Sequence, residues 1–462
     1  MLGLADDLKP SVSNMEEFAI VEKAARLFEE SSGNILHRDP INGKCKVLLL
    51  GRWRDTVKQE DIGFPHLRIT DSLGFVGVQL QAMWQKTRKE NNDESQAKLK
   101  AKIGSWKSGK FMPLVCRPFS VNSYALSRIW FRTHSVDLRV GDITVMESLC
   151  KSYIYQDLLE KPDKLMLYRK VEQGGLGLHN IKCKAKASLI TTFLQTAANP
   201  KFQQSLFHNH LYRYYCLEEV SLPKPDLPPY YPLNFFETIK KAFTQTPLNP
   251  IHMTLKQWYN LLLEAEVTME VMGEGSAPTL KKSRLEMLYP EHNWASSYLY
   301  SRLTGLSTEV RSFNFKLLNQ LLPVSARLSR LLLNNREDCQ LCQSGESESI
   351  QHALGFCDRN NDAAQAILNL TRPYDPSVNL EKVLRLEFNF CDPIYELPAI
   401  LIVSTGFHYI WHNRVNKKGT ALYQIRAEIE CLISLLRRSR LKKLKEAGNM
   451  INNTLANFLV VV

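Results

Sequence analysis

The sequence lacks the marks of membrane-spanning, secreted, repetitive and disordered proteins. No apolar run approaches the about 18 residues of a membrane span, and Asp6 and Asp7 stand where a signal peptide would become apolar. No long low-complexity tract and no repeat of roughly 20–50 residues is present. The ten cysteines lack the dense spacing of a disulfide scaffold. We therefore expect a globular protein without a membrane partner, in a reducing intracellular compartment, cytoplasmic and/or nuclear.

The composition is that of a large, basic, globular chain. Its 462 residues are 44% hydrophobic and 10% aromatic, which is enough to bury several cores and suggests roughly two to four domains. Lysine and arginine outnumber the acids 59 to 47, which gives a net charge of +12. Such an excess favours an anionic partner, nucleic acid first and a membrane surface second. A soluble basic protein without such a partner is the alternative.

The apolar pattern predicts a mainly α protein that begins with a small α+β segment. A helix is predicted over 13–33, because Ser13 and Glu16 form a capping box ahead of apolar residues at helical spacing. The apolar runs 47–50 and 75–80 have the length of strands. We therefore expect helices and strands together only near the start of the chain.

Four domains are predicted from changes in pattern along the chain. Residues 1–84 mix helix and strand, and residues 85–220 are mainly helical. Residues 221–290 form a proline-rich connector, because proline cannot continue a helix or a central strand. Residues 291–462 are helical again, with a cysteine-rich loop at 339–357.

The first chemical motif is Ala5-Asp6-Asp7, which is followed by the predicted helix. Two adjacent carboxylates at a hairpin turn can place one of them on a pair of metal ions, as two-metal polymerase chemistry with Mg²⁺ requires. Aspartate pairs are also frequent at turns and helix starts without such a role. The triplet alone leaves both interpretations open.

Further short segments follow this triplet in a fixed order. They are Leu4-Ala5-Asp6-Asp7, Phe28 with Ser32-Gly33 and Lys44-Cys45-Lys46, Phe75-Val76-Gly77-Val78, Trp106 with Arg117 and Asn122-Ser123-Tyr124, and Gly174-Gly175-Leu176-Gly177-Leu178. This series resembles the back half of reverse transcriptases from LINE-type (non-LTR) retrotransposons, which are transposable elements. Leu4 takes the place of the aromatic residue in the family's Tyr-Ala-Asp-Asp box.

The resemblance implies a domain order and a chemistry. Residues 1–84 would be the end of the polymerase palm, 85–220 a helical thumb, and 291–462 a helical C-terminal domain with a zinc knuckle. Asp6 and Asp7 would be the catalytic carboxylates that bind Mg²⁺ in the parent RNA-directed DNA polymerase. The family's first catalytic carboxylate and its fingers would precede Asp6 and have no counterpart in the sequence. We therefore expect this chain alone to be inactive as a polymerase.

The second chemical motif is Cys339, Cys342, His352 and Cys357, in the spacing C-x₂-C-x₉-H-x₄-C. Three thiolates and one imidazole suit tetrahedral Zn²⁺ and leave no open position, which predicts a structural site. Reduced cysteines packed as small hydrophobes are the alternative. The arrangement also resembles the zinc knuckle near the C-terminus of LINE-type reverse transcriptases.

Cations and aromatic residues alternate over 106–132, and residues 86–110 hold eight cations against three acids. Cations of this kind neutralise phosphates, and the resemblance to a thumb implies contact with RNA, an RNA–DNA hybrid or target DNA. The candidate contacts are Lys107, Lys110, Arg117, Arg128 and Arg132. We expect the aromatic residues Trp106, Tyr124 and Trp130 to lie in the core instead.

Two further motifs remain open. The basic run 437–445 fits nucleic-acid binding, a nuclear-localisation signal or a solvated helix face. His408 and His412 lie four residues apart on a predicted helix without the glutamate of a zinc-protease motif, so we interpret them as ordinary helix residues. The function predicted first is a nucleic-acid-binding fragment of a reverse transcriptase. The alternative is a zinc-containing helical scaffold without a nucleic-acid role.

Overall fold

The structure is a computed structural model, and part of the chain is described. The described residues are 3–4, 7–8, 12, 14–32, 45–50, 53–64, 66–75, 77–107, 112–156, 164–197, 253–271, 284–331 and 336–458. This part of the chain is mainly helical, with three small two-stranded sheets. The predicted mainly α class is confirmed. No helix of the described residues is both long enough and apolar enough to cross a membrane.

Eighteen α-helices are described, together with short 3₁₀ and π turns. They are α1 Met15–Ser32, α2 Trp53–Thr56, α3 Trp84–Lys107, α4 Arg117–Ser120, α5 Ser127–Thr133, α6 Val140–Ile154, α7 Lys164–Tyr168, α8 Ile181–Ala197, α9 Leu255–Val271, α10 Arg284–Leu288, α11 Trp294–Tyr300, α12 Thr308–Leu318, α13 Ser325–Leu331, α14 Asn361–Thr371, α15 Leu380–Leu384, α16 Glu396–Val415, α17 Leu422–Arg438 and α18 Lys442–Phe458.

Six short strands form the three sheets. They are β1 Gly3–Leu4 antiparallel to β2 Asp7–Leu8, β3 Lys46–Leu48 parallel to β4 Arg68–Thr70, and β5 Ser72–Phe75 antiparallel to β6 Val78–Gln81. All six lie in the first 84 residues, where strands were predicted. Within the described residues, the remainder of the chain adds only one isolated bridge.

Two sequence predictions near the N-terminus need correction. The predicted helix 13–33 is confirmed by α1, but its cap is Asn14, whose Oδ1 accepts a hydrogen bond from the Glu17 backbone at 2.7 Å. The run 75–80 was predicted as one strand, and this is wrong. It spans the end of β5 and most of β6, with Gly77 at φ +78 in the connection. A positive φ reverses the chain direction at a glycine without steric cost.

The chain divides into two compact units, each built from several separate segments. The first unit comprises Met1–Lys98, Arg128–Thr144 and Lys184–Tyr259, and the second comprises Leu99–Ser127, Val145–Cys183 and Asn260–Val462. The predicted domain boundaries near 84, 220 and 290 stay predictions. The proline cluster of the predicted connector lies outside the described residues.

Helix α16 is the centre of the second unit. Its residues Pro398–Phe407 are buried without interruption, as expected of a helix that is enclosed on all sides. It packs against α12, α14, α17 and α18. At Gly406 an added Cβ would lie 2.7 Å from Ile367 Cδ1, so the glycine allows α14 to approach closely.

The last two helices, α17 and α18, form an antiparallel hairpin joined by residues 439–441. The buried apolar residues of α17 recur at helical spacing, and so do those of α18. They are Ile425, Ile429, Leu432, Ile433 and Leu436 on α17, and Leu444, Ala447, Ile451 and Leu455 on α18. At Gly448 an added Cβ would stand 2.9 Å from Leu436 Cβ, which shows how closely the helices approach. We call residues 437–445 the hairpin tip.

Candidate metal site and candidate nucleic-acid surfaces

A short loop and a π turn bring the four predicted metal ligands together. The loop with Cys339 and Cys342 is closed by hydrogen bonds from Cys339 N to Glu346 O at 2.9 Å and from Glu348 N to Glu337 O at 2.8 Å. The π turn follows, with Cys357 N donating to His352 O at 2.8 Å. This bond joins residues five apart, so the H-x₄-C spacing places both side chains on one side of the turn.

Two of the distances between the ligand atoms are close to those of a tetrahedral zinc site. All four atoms lie within 4.8 Å of one another. The Cys339 and Cys357 sulfurs are 3.9 Å apart, and Cys342 Sγ is 3.4 Å from His352 Nε2. Bonds of about 2.3 Å to sulfur and about 2.0–2.1 Å to nitrogen require separations of about 3.8 and 3.6 Å. The four residues therefore form a cluster that can hold a metal ion.

The cluster is closed to solvent on most sides. Cys339, His352 and Cys357 are buried, and Cys342 is partly exposed. Four protein ligands complete a tetrahedral shell and leave no position for water or substrate. A metal ion held by all four side chains would have the closed shell that is typical of structural zinc sites.

Carboxylates around the cluster orient two of the ligands. His352 Nδ1 lies 3.0 Å from Glu346 Oε2, which directs Nε2 toward the sulfurs. Glu348 Oε1 lies 3.8 Å from Cys339 Sγ. The same carboxylate accepts a hydrogen bond from Arg414 Nε at 2.8 Å and from Ser325 N at 2.8 Å. The loop is thus joined to α16 and α13.

These supporting residues were not predicted from the sequence. The position of Glu346 and Glu348 between the second cysteine and the histidine is a weak signal, because metal-bound histidines commonly bond a carboxylate. Nothing in the sequence points to Arg414, which stands 66 residues after its partner.

The protonation states of the thiols favour metal binding at higher pH. Burial raises the pKa of Cys357 to about 12 and also raises that of Cys339. Burial acts in the same direction on Cys342, but hydrogen bonds from Ser344 and His352 outweigh it and lower the pKa of Cys342 to about 7. A metal ion binds thiolates, so at neutral pH it must displace protons from the two buried thiols.

The predicted catalytic carboxylates are described only in part. Asp7 lies in β2, opposite Leu4 of β1, and its side chain is outside the described residues. Asp6 also lies outside them. Their role in binding Mg²⁺ stays a prediction.

Two of the predicted nucleic-acid contacts are buried arginines with internal partners. Arg117 is 4% exposed and donates to Met112 O at 2.8 Å and to Ile154 O at 2.9 Å. Arg132 is 9% exposed, donates to Gly77 O at 2.9 Å and pairs with Glu94 at 2.6 Å. In this structure both side chains stabilise the backbone around them, so we leave them out of the phosphate-binding surface proposed below.

The structure describes the other predicted nucleic-acid contacts, and the three aromatic residues among them, to different extents. Arg128 is exposed. Lys107 ends α3, and its side chain lies outside the described residues, as does Lys110. Of the three aromatic residues, Trp106 packs on Tyr153 and Trp130 is partly buried. Tyr124 is 59% exposed, so its predicted place in the core is wrong.

Intramolecular contacts engage several cations of α3. Arg88 pairs with Asp137 at 2.7 Å, and Lys98 pairs with Glu94 at 2.5 Å. Lys102 stands 5.4 Å above the Trp106 ring. The exposed lysines of α3 without an ion pair among the described residues are Lys86, Lys89 and Lys100. Of these contacts, the pair with Asp137 offsets one cation by an acid from outside the segment, and Lys98 and Lys102 are engaged within α3.

The hairpin tip carries a denser cationic surface. Its six cations, all exposed, are Arg437, Arg438, Arg440, Lys442, Lys443 and Lys445. No acid lies within 437–445, and Glu446 follows directly, 3.7 Å from Lys442. Arg437 Nε donates to Asn449 Oδ1 at 3.1 Å.

The histidines of α16 lie apart from the metal cluster. His408 and His412 have ring centroids 6.5 Å apart, and among the described residues no thiol or carboxylate joins them in a cluster of three or more ligands. Burial lowers the pKa of His408 to about 4.

No model of a known protein family and no curated protein matches the sequence. A functional assignment therefore depends on the sequence motifs and on the geometry of these sites.

Proposed function

We propose that this chain is the C-terminal portion of a LINE-type retrotransposon reverse transcriptase and that it binds nucleic acid. In this proposal it comprises the end of the palm, a helical thumb and a zinc-knuckle domain. Its partners are RNA, an RNA–DNA hybrid or target DNA, bound through the phosphate backbone. The observation that carries the proposal is the Cys₃His cluster, whose ligand atoms lie close enough together to hold a metal ion, as the expected knuckle would.

Zinc is the metal that we propose for the cluster. Three thiolates and an imidazole within 4.8 Å of one another suit Zn²⁺ better than oxygen-seeking ions such as Mg²⁺. Its role would be to join the loop 336–348 to the π turn and, through Glu348, to α16. In the parent enzyme Asp6 and Asp7 would bind Mg²⁺, and this part of the proposal depends on the resemblance alone.

One preparation of the full chain tests both parts of the proposal. Purified with zinc present, it should contain one zinc ion per chain and bind a labelled RNA–DNA duplex of about 20 base pairs at low salt. The affinity should fall steeply with salt, because counterion release drives backbone binding. A folded, zinc-loaded chain that binds neither RNA, hybrid nor DNA at about 50 mM salt would contradict the proposal.

The buried arginines favour a second candidate function, a zinc-containing scaffold. Arg117 and Arg132, two of the candidate phosphate contacts in the segment 106–132, bond backbone carbonyls inside the protein in this structure. A scaffold would bind zinc without binding nucleic acid. The same experiment separates the two functions, because only the first predicts salt-dependent duplex binding.

A further inference from the structure

We propose that the hairpin tip, residues 437–445, is the main phosphate-binding surface of this chain and that its partner is a nucleic-acid duplex. This inference rests on the proposed function and goes beyond it by naming the surface and the form of the partner. The interleaved segment 106–132, which the sequence favours, becomes a minor contributor.

The balance of exposed charge favours the hairpin tip over α3. The tip presents six exposed cations within nine residues, and its nearest acid in the sequence, Glu446, lies within pairing distance of Lys442 alone. Arg438, Arg440, Lys443 and Lys445 have no ion pair among the described residues. On α3, by contrast, Asp137 and Glu94 pair with Arg88 and Lys98. A surface with unpaired cations has the higher positive potential and attracts polyanions more strongly.

The cations at the start of α18 oppose the stability of that helix. Arg437 and Arg438 end α17, where cations interact favourably with the helix dipole. Lys442, Lys443 and Lys445 begin α18, where cations interact unfavourably with it. Helix stability therefore accounts for the cations of α17 but not for those of α18. An anionic partner accounts for both groups.

Contacts between the two helices hold the hairpin tip in place. Gly448 lets α18 approach Leu436 closely, and Arg437 is fixed by its hydrogen bond to Asn449. Only residues 439–441 connect the two helices. Five cations from the two helices and Arg440 from their connection are thus presented together, at a separation of about 8–10 Å between helix axes. A duplex carries about one negative charge per 1.7 Å of its length and can meet several of them at once.

The chemistry of the tip favours a duplex over a single strand. Proteins that bind single strands stack aromatic side chains on the bases. Residues 437–445 contain no aromatic residue, and their one exposed large apolar residue is Leu441. Contacts from this surface should therefore reach the phosphates and carry little sequence preference.

The packing of the hairpin also disfavours a membrane as the partner. An interfacial helix inserts a continuous apolar face into lipid. The apolar residues of α17 and α18 that recur at helical spacing, such as Ile429, Leu436 and Ile451, are buried instead. The exposed large apolar residues of α17 are Leu422 and Tyr423 at its first turn and Leu435 near its end, which do not form a continuous face. Anionic vesicles are therefore a control in the experiment.

The test compares two full-length variants that lose the same charge. The tip variant carries Arg438→Gln, Lys442→Gln, Lys443→Gln and Lys445→Gln, and it keeps Arg437 with its bond to Asn449. The control variant carries Lys86→Gln, Lys89→Gln, Lys100→Gln and Arg128→Gln, all at exposed positions. Circular dichroism and zinc content verify that both variants are folded. Binding to a labelled RNA–DNA duplex of about 20 base pairs is measured from about 50 to 300 mM salt.

The tip variant should bind at least about tenfold more weakly than wild type, and its salt slope should flatten by up to about 3.5 units. The control variant should lose clearly less affinity. The inference is overturned if the control loses as much as the tip variant, or if the tip variant changes binding to phosphatidylserine vesicles but not to the duplex. If the wild type binds the duplex and the tip variant binds it equally well, the inference is refuted while the proposed function stands. If the wild type binds no nucleic acid, the proposed function is refuted.

Discussion

Arg414 of α16 and Glu348 of the metal loop form a buried ion pair, with Nε 2.8 Å from Oε1 and the Glu348 side chain 2% exposed. Glu348 also accepts two hydrogen bonds from Ser325. The pair therefore joins the candidate metal loop to the central helix and to α13. Its removal should have consequences for stability and for metal retention.

Replacing Arg414 by Met should destabilise the second unit. The substitution leaves the buried Glu348 carboxylate without its charge partner, and such changes cost about 3–5 kcal/mol. Denaturant unfolding followed by circular dichroism measures the loss. The exposed Arg330→Met serves as control and should change stability by less than about 0.5 kcal/mol. Equal stability of the two variants would show that the pair contributes nothing.

Stability should fall on acidification because of the same carboxylate. Burial alone would raise the pKa of Glu348, but hydrogen bonds from Arg414 and Ser325 outweigh it and hold that pKa below its usual range. A group with a lowered pKa stabilises the folded state above its unfolded pKa, about 4.3 for glutamate, and loses this contribution as pH falls through the folded value. Glu348→Gln should therefore reduce stability at pH 7 and flatten its decline below about pH 4.5. Parallel pH profiles for both proteins would contradict this.

Glu346→Gln should weaken zinc binding by about 10–100-fold, because loss of a carboxylate next to a ligating histidine has an effect of this size. The carboxylate is 3.0 Å from His352 Nδ1. Competition with a chromophoric chelator measures the change. Asp358→Asn provides the control, because this exposed residue follows Cys357 without contacting a ligand atom in the described structure. An affinity equal to wild type for Glu346→Gln would remove this residue from the site.

Zinc binding should release protons and strengthen as pH rises. Burial keeps Cys339 and Cys357 protonated at neutral pH, and the pKa of Cys342 is about 7. Binding at pH 7 should therefore release about two or more protons. Calorimetry in two buffers with different ionisation enthalpies gives the number. Cys391→Ser, at an exposed cysteine outside the cluster, should release the same number, whereas Cys342→Ser should lose the metal.

Two glycine-to-alanine substitutions in helices should change stability in opposite directions. Alanine is the better helix former by about 1 kcal/mol. At Gly104 of α3 the added Cβ meets nothing within 4 Å, so Gly104→Ala should raise the melting temperature. At Gly448 it would stand 2.9 Å from Leu436 Cβ, so Gly448→Ala should lose that gain or lower the melting temperature. A similar increase in melting temperature for both variants would mean that α17 and α18 separate easily.

The sequence predicted the elements whose signal is local. The helical class, α1 and the meeting of Cys339, Cys342, His352 and Cys357 all follow from spacing between near neighbours. The turn at Gly77 was missed because a short apolar run does not distinguish one strand from a hairpin.

Contacts between distant residues were beyond the reach of the pattern. Arg117 and Arg132 resemble exposed phosphate contacts in the sequence, because nothing there shows the carbonyls of Ile154 and Gly77 that hold them inside. In the same way, the ion pair between Arg88 of α3 and Asp137 could not be predicted without the fold. Charge counted along a segment therefore overestimates the charge that reaches the surface.

The interleaved order of the two units affects how the chain can fold during synthesis. The first unit includes Lys184–Tyr259, and the second begins already at Leu99. Neither unit is a continuous stretch, so neither can be completed while the ribosome is still translating the early part of the chain. The first unit cannot be completed until residues near Tyr259 have been synthesised. By then, segments of the second unit have already left the ribosome. Truncation near residue 100 should therefore yield an aggregation-prone fragment, and pulse proteolysis of stalled nascent chains would follow the order in which the units become protected.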